Sequence, residues 1–288
     1  MNNVKGILLM LAAMAGFTLE DLFVKKLSAD ISTGQILMML GLGGTIAFAL
    51  MARSKGHRLT ARHFWTRGMM MRTVAEGFAA VTFVLSLKLI DLSTVAAVFQ
   101  VTPLVITMGA ALFLGETVGW RRWMAILIGF MGVLIIIRPG LTAFDPNVGF
   151  VLAAVFFVAI RDLITRGLPA NVPSTVVSFQ AFVAVVISGA LLAMLSATQL
   201  QSLEVNQMWF ILGGMVFGVS GYYCIVAATR IGEAAVVTPF RYARLVFSLI
   251  VGFVVFHERP DMWTLLGASI VIAMGIFTVW RERMLARV

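Results

Sequence analysis

The chain has 288 residues, of which 60% are hydrophobic and only 12% charged, and it carries a net charge of +9. Soluble domains run about 45–50% apolar and about 25% charged, so this composition excludes a soluble enzyme or binding domain and defines an integral membrane protein. The positive charge lies largely in short loops on one side of the apolar stretches, a mark of membrane orientation and not of nucleic-acid binding.

Apolar stretches occupy residues 5–26, 32–52, 68–88, 92–115, 120–138, 148–166, 174–197, 205–228, 232–256 and 261–281. About 20 apolar residues, rising about 1.5 Å each, cross a hydrocarbon core about 30 Å thick. Helices satisfy their own backbone hydrogen bonds in lipid, and the alternating pattern of a β-barrel is missing. The first stretch begins almost at once and lacks a small-residue cleavage site, so it reads as a span and not as a signal peptide. The loop between the second and third spans carries Arg53, Lys55, Arg58, Arg62 and Arg67, whereas the other side offers Lys25, Lys26, Lys88, Arg138 and Arg259. Both termini are therefore expected on the cytoplasmic side of a bacterial inner membrane.

The chain also repeats itself. Residues 20–31 read EDLFVKKLSADI and residues 161–172 read RDLITRGLPANV, so Asp21-Leu22 returns as Asp162-Leu163, 141 positions later. Glu116 and Glu258 give a second anchor at an offset of 142. The expected organisation is one repeat over residues 1–140 and another over 141–288. Each holds five spans, and an odd number inserts the second copy upside down. The fold class is thus all-α and membrane-embedded, with ten transmembrane helices as two inverted five-helix repeats.

The segment STVAAVFQVTPLVITMGAALFLGETVGWRRWMAILIGFMGVLIIIRPG (93–140) resembles the drug/metabolite transporter superfamily, specifically its EamA-type ten-helix members. The resemblance rests on an apolar run, Gly-Glu, a short loop and Gly-x-x-Gly-Val leading to a Pro-Gly exit. A looser version follows at 236–277. Thr238-Pro-Phe-Arg-Tyr242 is similar to the subgroup containing S-adenosylmethionine and riboflavin uptake transporters. That resemblance implies a secondary carrier of a small metabolite. It also implies an acidic residue after the Arg-Tyr pair in the S-adenosylmethionine carriers; this chain has Arg244, so a sulfonium ligand loses a partner there. Export of amino acids or related metabolites is the alternative the superfamily offers.

Ionisable residues inside spans are costly and point to function. Arg241, Tyr242 and Arg244 are expected roughly 14–18 Å into the ninth span, near the midplane where carriers bind. Arg241 suits a carboxylate or phosphate, because its planar fork matches such groups. The competing reading pairs these arginines with Glu20, Asp21 or Glu76 to pin the bundle. Pro239 just before them removes a backbone donor and loosens the helix. Gln100, with Thr102 and Pro103, occupies the mirror position in the fourth span. Glu76 faces Arg72 one turn away and is deep enough to line a cavity. Tyr222 and Tyr223 are further cavity candidates, since a buried hydroxyl wants a partner. Gly214 and Gly218 predict a close helix seam. Glu20, Asp21 and Asp162 are candidates for gating or proton coupling, with the two aspartates at opposite depths and each closing its own side.

No enzyme chemistry is legible. His57, His63 and His257 lie in or beside loops without metal-binding spacing, Cys224 has no sequence-near histidine, and no Walker sequence is present. No cofactor is expected. The expected partners are a small-molecule metabolite and the lipid bilayer, with a coupling proton and a second copy of the chain as further candidates, and no nucleic acid.

Overall fold

The structure, a computed structural model, describes residues 3–59, 65–115, 119–138, 144–168, 172–197, 199–231 and 237–285. Glu116, His63 and residues 232–236 of the expected ninth span lie outside them, as do the side chains of Arg166 and Thr238. The first half contains α1 (Asn3–Leu27), α2 (Thr33–Ser54), α3 (Arg67–Leu89), α4 (Leu92–Phe99), α5 (Thr102–Phe113) and α6 (Trp120–Ile137). The second contains α7 (Val148–Arg166), α8 (Ser174–Leu195), α9 (Val205–Ile231), a 3-10 turn (Thr238–Tyr242), α10 (Ala243–Phe256) and α11 (Met262–Leu285). Among the described residues, nine helical segments are long and apolar enough to cross a membrane, and α11 adds a shorter apolar stretch at Met262–Thr278.

Two spans are broken where the sequence suggested one continuous helix and one loosened helix. In the fourth, α4 stops at Phe99 and α5 restarts at Thr102, with Pro103 in its first turn. Proline has no N–H to continue the ladder, so the break falls where the missing donor is cheapest. Thr102 donates its hydroxyl to the Phe99 carbonyl at 2.5 Å, satisfying one freed acceptor. In the ninth span the five residues around Pro239 adopt the tighter 3-10 winding before α10 begins. Such irregular backbone is tolerated at membrane depth only where protein surrounds it.

The helices pack mainly across the two halves. α1 lies on α9 and α3 on α7, contacts that interchange when the repeats are swapped. α2 on α8 and α6 on α11 each map onto themselves. This is the pattern a two-fold axis between the repeats requires, and the glycines confirm it. A Cβ on Gly34 would lie 2.7 Å from the carbonyl oxygen of Gly189, and a Cβ on Gly189 2.7 Å from that of Gly34. Gly132 and Gly267 make a second reciprocal pair, at 2.9 and 2.5 Å. Lipid supplies no hydrophobic drive between helices, so such close backbone contact is what holds them together. Gly214 packs against Leu40 and Gly218 against Glu20, placing both of them where α9 meets the first half.

The repeat is visible in the backbone as well. Gly115 after α5 and His257 after α10 occupy equivalent places, just before the two repeated glutamates. Both are left-handed, with φ of 68° and 55°. The first copy uses the residue that adopts this conformation freely; the second imposes it on a histidine.

Candidate functional site

A small cavity of about 10 Å³ lies between the halves, lined by Asp21, Phe83, Leu92, Val95, Ala96, Phe99, Gln100 and Arg244. It sits against the breaks of the fourth and ninth spans, so side chains from both repeats meet there. Arg244, in the first turn of α10, forks onto Asp21 of α1: Nη2 donates to Oδ2 at 2.7 Å and to Oδ1 at 2.9 Å, and Nε donates to Oδ2 at 3.2 Å. Both side chains are largely buried. The guanidinium carbon also lies 5.5, 5.4 and 5.6 Å from the ring centres of Phe17, Phe83 and Phe99. Gln100, buried at the C-terminal end of α4, borders the same space.

Glu20 precedes Asp21 in α1. Its carboxylate rests over Gly218, where a Cβ would approach Oε1 to 2.6 Å. Among the described residues it has no hydrogen bond or ion pair. The equivalent place in the second copy is Arg161, which is fully engaged. Its Nη1 donates to Glu76 Oε1 at 2.9 Å and its Nε to Asp162 Oδ1 at 2.8 Å. Glu76 also pairs with Arg72 at 3.3 Å, while Arg72 Nε donates to the Thr165 hydroxyl at 2.9 Å. This cluster stitches α3 to α7 towards the end of the bundle that carries both termini.

The opposite end is closed by a different network. Glu258 accepts hydrogen bonds at the first turn of α4, from Leu92 N at 2.8 Å and from Ser93 N and Oγ at 2.9 and 2.8 Å. Lys25 lies 3.6 Å from Glu258 and donates to the carbonyls of Ile90 at 2.6 Å and Leu87 at 3.3 Å. Arg138 pairs with Asp261 across the neighbouring loops. Burial pushes the Asp261 carboxyl up, but hydrogen bonds from Thr264 and Arg138 together with the Arg138 charge hold it below the usual carboxylate range.

The residues singled out in the sequence therefore separate. Asp21, Arg244 and Gln100 come together at the cavity. Arg244 takes the competing reading in this conformation, since it pairs with Asp21. Among the described residues, Arg241 Nε and the Tyr242 hydroxyl are buried with no hydrogen-bond partner. Glu76 and Asp162 meet through Arg161. Tyr222 packs edge-on against Phe48 and Phe182, at 5.3 and 6.4 Å, away from the cavity. Tyr223 is 57% exposed on the outside of the bundle, because it follows Tyr222 by one residue and so turns about 100° round the helix. His57 bonds the Thr175 hydroxyl at 2.9 Å, and Cys224 is only partly buried. Arg161 escaped the sequence reading, although an arginine inside an apolar stretch is itself the signal. The role of Glu258 had no local signal.

A duplicated bundle of apolar helices, with charged side chains buried where two of its spans break, is the build of a membrane transporter. Residues 4–138 and 146–281 each match the EamA-like transporter family, so the chain belongs to that family. An S-adenosylmethionine uptake transporter of Rickettsia bellii is 30% identical over 218 residues, covering 74% of this chain and 72% of that protein. A riboflavin transporter of Vibrio cholerae is 30% identical over 190 residues, covering 65% and 62%. A pseudopaline exporter of Pseudomonas aeruginosa is 23% identical over 272 residues, covering 94% of each. A solved crystal structure with 18% identity superposes with a TM-score of 0.63 over 98% of this chain and 99% of the other, a likeness of fold.

Proposed function

We propose that this protein is a secondary carrier of the bacterial inner membrane, with both termini cytoplasmic, moving a small organic metabolite by alternating access. The observation that carries the reading is the cavity at the two helix breaks, bordered by Arg244, Asp21 and Gln100 from both repeats. Carriers built from inverted repeats bind at the repeat interface, on interrupted helices. The cargo has an anionic or zwitterionic group and an apolar or aromatic body. Arg241 holds the anionic group, since a buried guanidinium nitrogen without a partner is what an incoming carboxylate or phosphate satisfies. Tyr242 and Gln100 orient the rest. Relatives named as an S-adenosylmethionine uptake transporter and a riboflavin transporter support a compound of that kind.

Asp21 and Asp162 serve as gates at opposite depths, and Glu20 is the carboxylate best placed to carry a coupling proton, because it lacks a counter-cation in contact among the described residues. Export of amino acids or related metabolites is the second reading, favoured by the pseudopaline exporter matched along almost the whole chain.

A thermal-shift screen of S-adenosylmethionine, riboflavin and amino acids on detergent-solubilised protein tests the assignment. The expected result is stabilisation by one compound that Arg241→Ala abolishes. Full stabilisation of the Arg241→Ala variant removes the central-arginine role.

A further inference from the structure

The surroundings of Arg244 have the chemistry of a cation receptor. Three phenylalanine rings, Phe17, Phe83 and Phe99, stand within 5.6 Å of its guanidinium carbon, and Asp21 faces it with both oxygens. Rings present their negative faces to a cation, and several rings with a carboxylate form the arrangement that recognises organic cations. The rings come from α1, α3 and α4, whereas the cation comes from α10, so the box belongs wholly to the first repeat and its occupant to the second.

The volume adds a second argument. With Arg244 in place, about 10 Å³ remains free, room for about one water and for no metabolite. Anything that enters must move a side chain. Of the lining groups, Arg244 is the long unbranched one, at the first turn after a 3-10 segment. The adjacent Glu20, whose carboxylate has no partner in contact among the described residues, offers a displaced guanidinium a second acceptor.

We propose that Phe17, Phe83, Phe99 and Asp21 form a cation cage that Arg244 fills in the empty protein, and that a cationic organic group of the substrate, a substituted ammonium or a sulfonium, competes with Arg244 for it. The proposal rests on the carrier reading and sharpens its substrate class: a zwitterion, whose cation enters the cage while its anionic group goes to Arg241. The exchange replaces one cation by another beside Asp21, so the buried carboxylate is never left unpaired, the state that costs most. It also ties occupancy to the span carrying Arg244, because the side chain leaves Asp21 only when the ligand arrives.

The test compares choline with 3,3-dimethylbutanol, which has the same shape without the charge, by calorimetric titration of the purified full-length protein in detergent. Wild-type protein binds choline more tightly than its isostere, and Phe99→Leu, which keeps the ion pair, loses that preference. Arg244→Ala removes the competitor and tightens choline at least about tenfold with no gain for the isostere. Adding Asp21→Asn to Arg244→Ala reverses the gain. Equal binding of the two probes in wild type and Arg244→Ala overturns the cage, as does a gain that survives Asp21→Asn. If Arg244→Ala does not fold, the wild-type and Phe99→Leu pair decides. Equal binding of the two probes alongside saturable counterflow defeats only the cage, whereas absent counterflow with choline discrimination intact defeats only the carrier reading.

Discussion

Glu258 accepts two hydrogen bonds from Ser93, one from the backbone N–H at 2.9 Å and one from the hydroxyl at 2.8 Å, across 165 positions of sequence. The N-terminus of α4 is thus capped by the other repeat. Its own N-cap residue, Asp91, makes no side-chain cap bond. Gly252 leaves the space that this carboxylate fills, since a Cβ there would come within 2.6 Å of Glu258 Oε2.

Glu258→Ala orphans two buried backbone donors and removes the carboxylate paired with Lys25. Losing charged hydrogen bonds of this kind costs roughly 1.5–3 kcal/mol. The melting temperature of the purified protein should fall clearly below that of an Asp30→Ala control, a change of an exposed carboxylate in the same end of the bundle. Equal melting temperatures would show that the cap contributes nothing.

Asp91 gives a pH test with a defined sign. Burial, the nearby Glu258 charge and Asp145 push its carboxyl up, with Lys25 opposing them. A carboxyl raised on folding supports the fold fully only while protonated, below its unfolded pKa of about 3.9, and that support is lost as pH rises through the raised folded value. At neutral pH Asp91→Asn should therefore stabilise the protein, and the gain should shrink as pH falls towards 4. Unfolding followed by intrinsic tryptophan fluorescence across that range measures it. A gain that is larger at the acid end contradicts the assignment.

Glu76 joins Arg72 and Arg161, and each arginine has a further partner in α7, Thr165 or Asp162. Glu76→Gln leaves two cations facing one another's surroundings and should destabilise by roughly 1.5–3 kcal/mol. Removing Arg161 as well, as Glu76→Gln/Arg161→Gln, should recover part of that loss, because the uncompensated charge goes with it. A double-variant cycle of denaturation midpoints reads the coupling. Strict additivity would mean that the two side chains do not pair.

The spans were legible because hydropathy and length need only the local sequence. Nine of the ten expected spans have helical counterparts within a few residues at most ends, and the described part of the ninth follows them. The repeated Asp-Leu marks two ion-paired positions, since Asp21 pairs with Arg244 and Asp162 with Arg161. What hydropathy does not carry is rotation about a helix axis and contact across the duplication. Tyr222 and Tyr223 are equally buried in a window average, yet only one of them points inward. Arg161 and Glu76 are 85 residues apart and Glu258 and Leu92 are 166 apart, so neither pairing leaves a local trace. The break at Gln100 was visible only as Pro103, which tells where a ladder bond is missing but not whether the helix bends, frays or stops.

On the proposed function, the two repeats carry a metabolite across the membrane between them. Counterflow in liposomes holding the purified protein tests it most directly, using the radiolabelled form of whichever screened compound stabilises the protein most. A carrier gives saturable uptake that is accelerated when the same unlabelled compound is preloaded inside. Uptake that rises linearly with concentration and ignores the compound on the far side would contradict it.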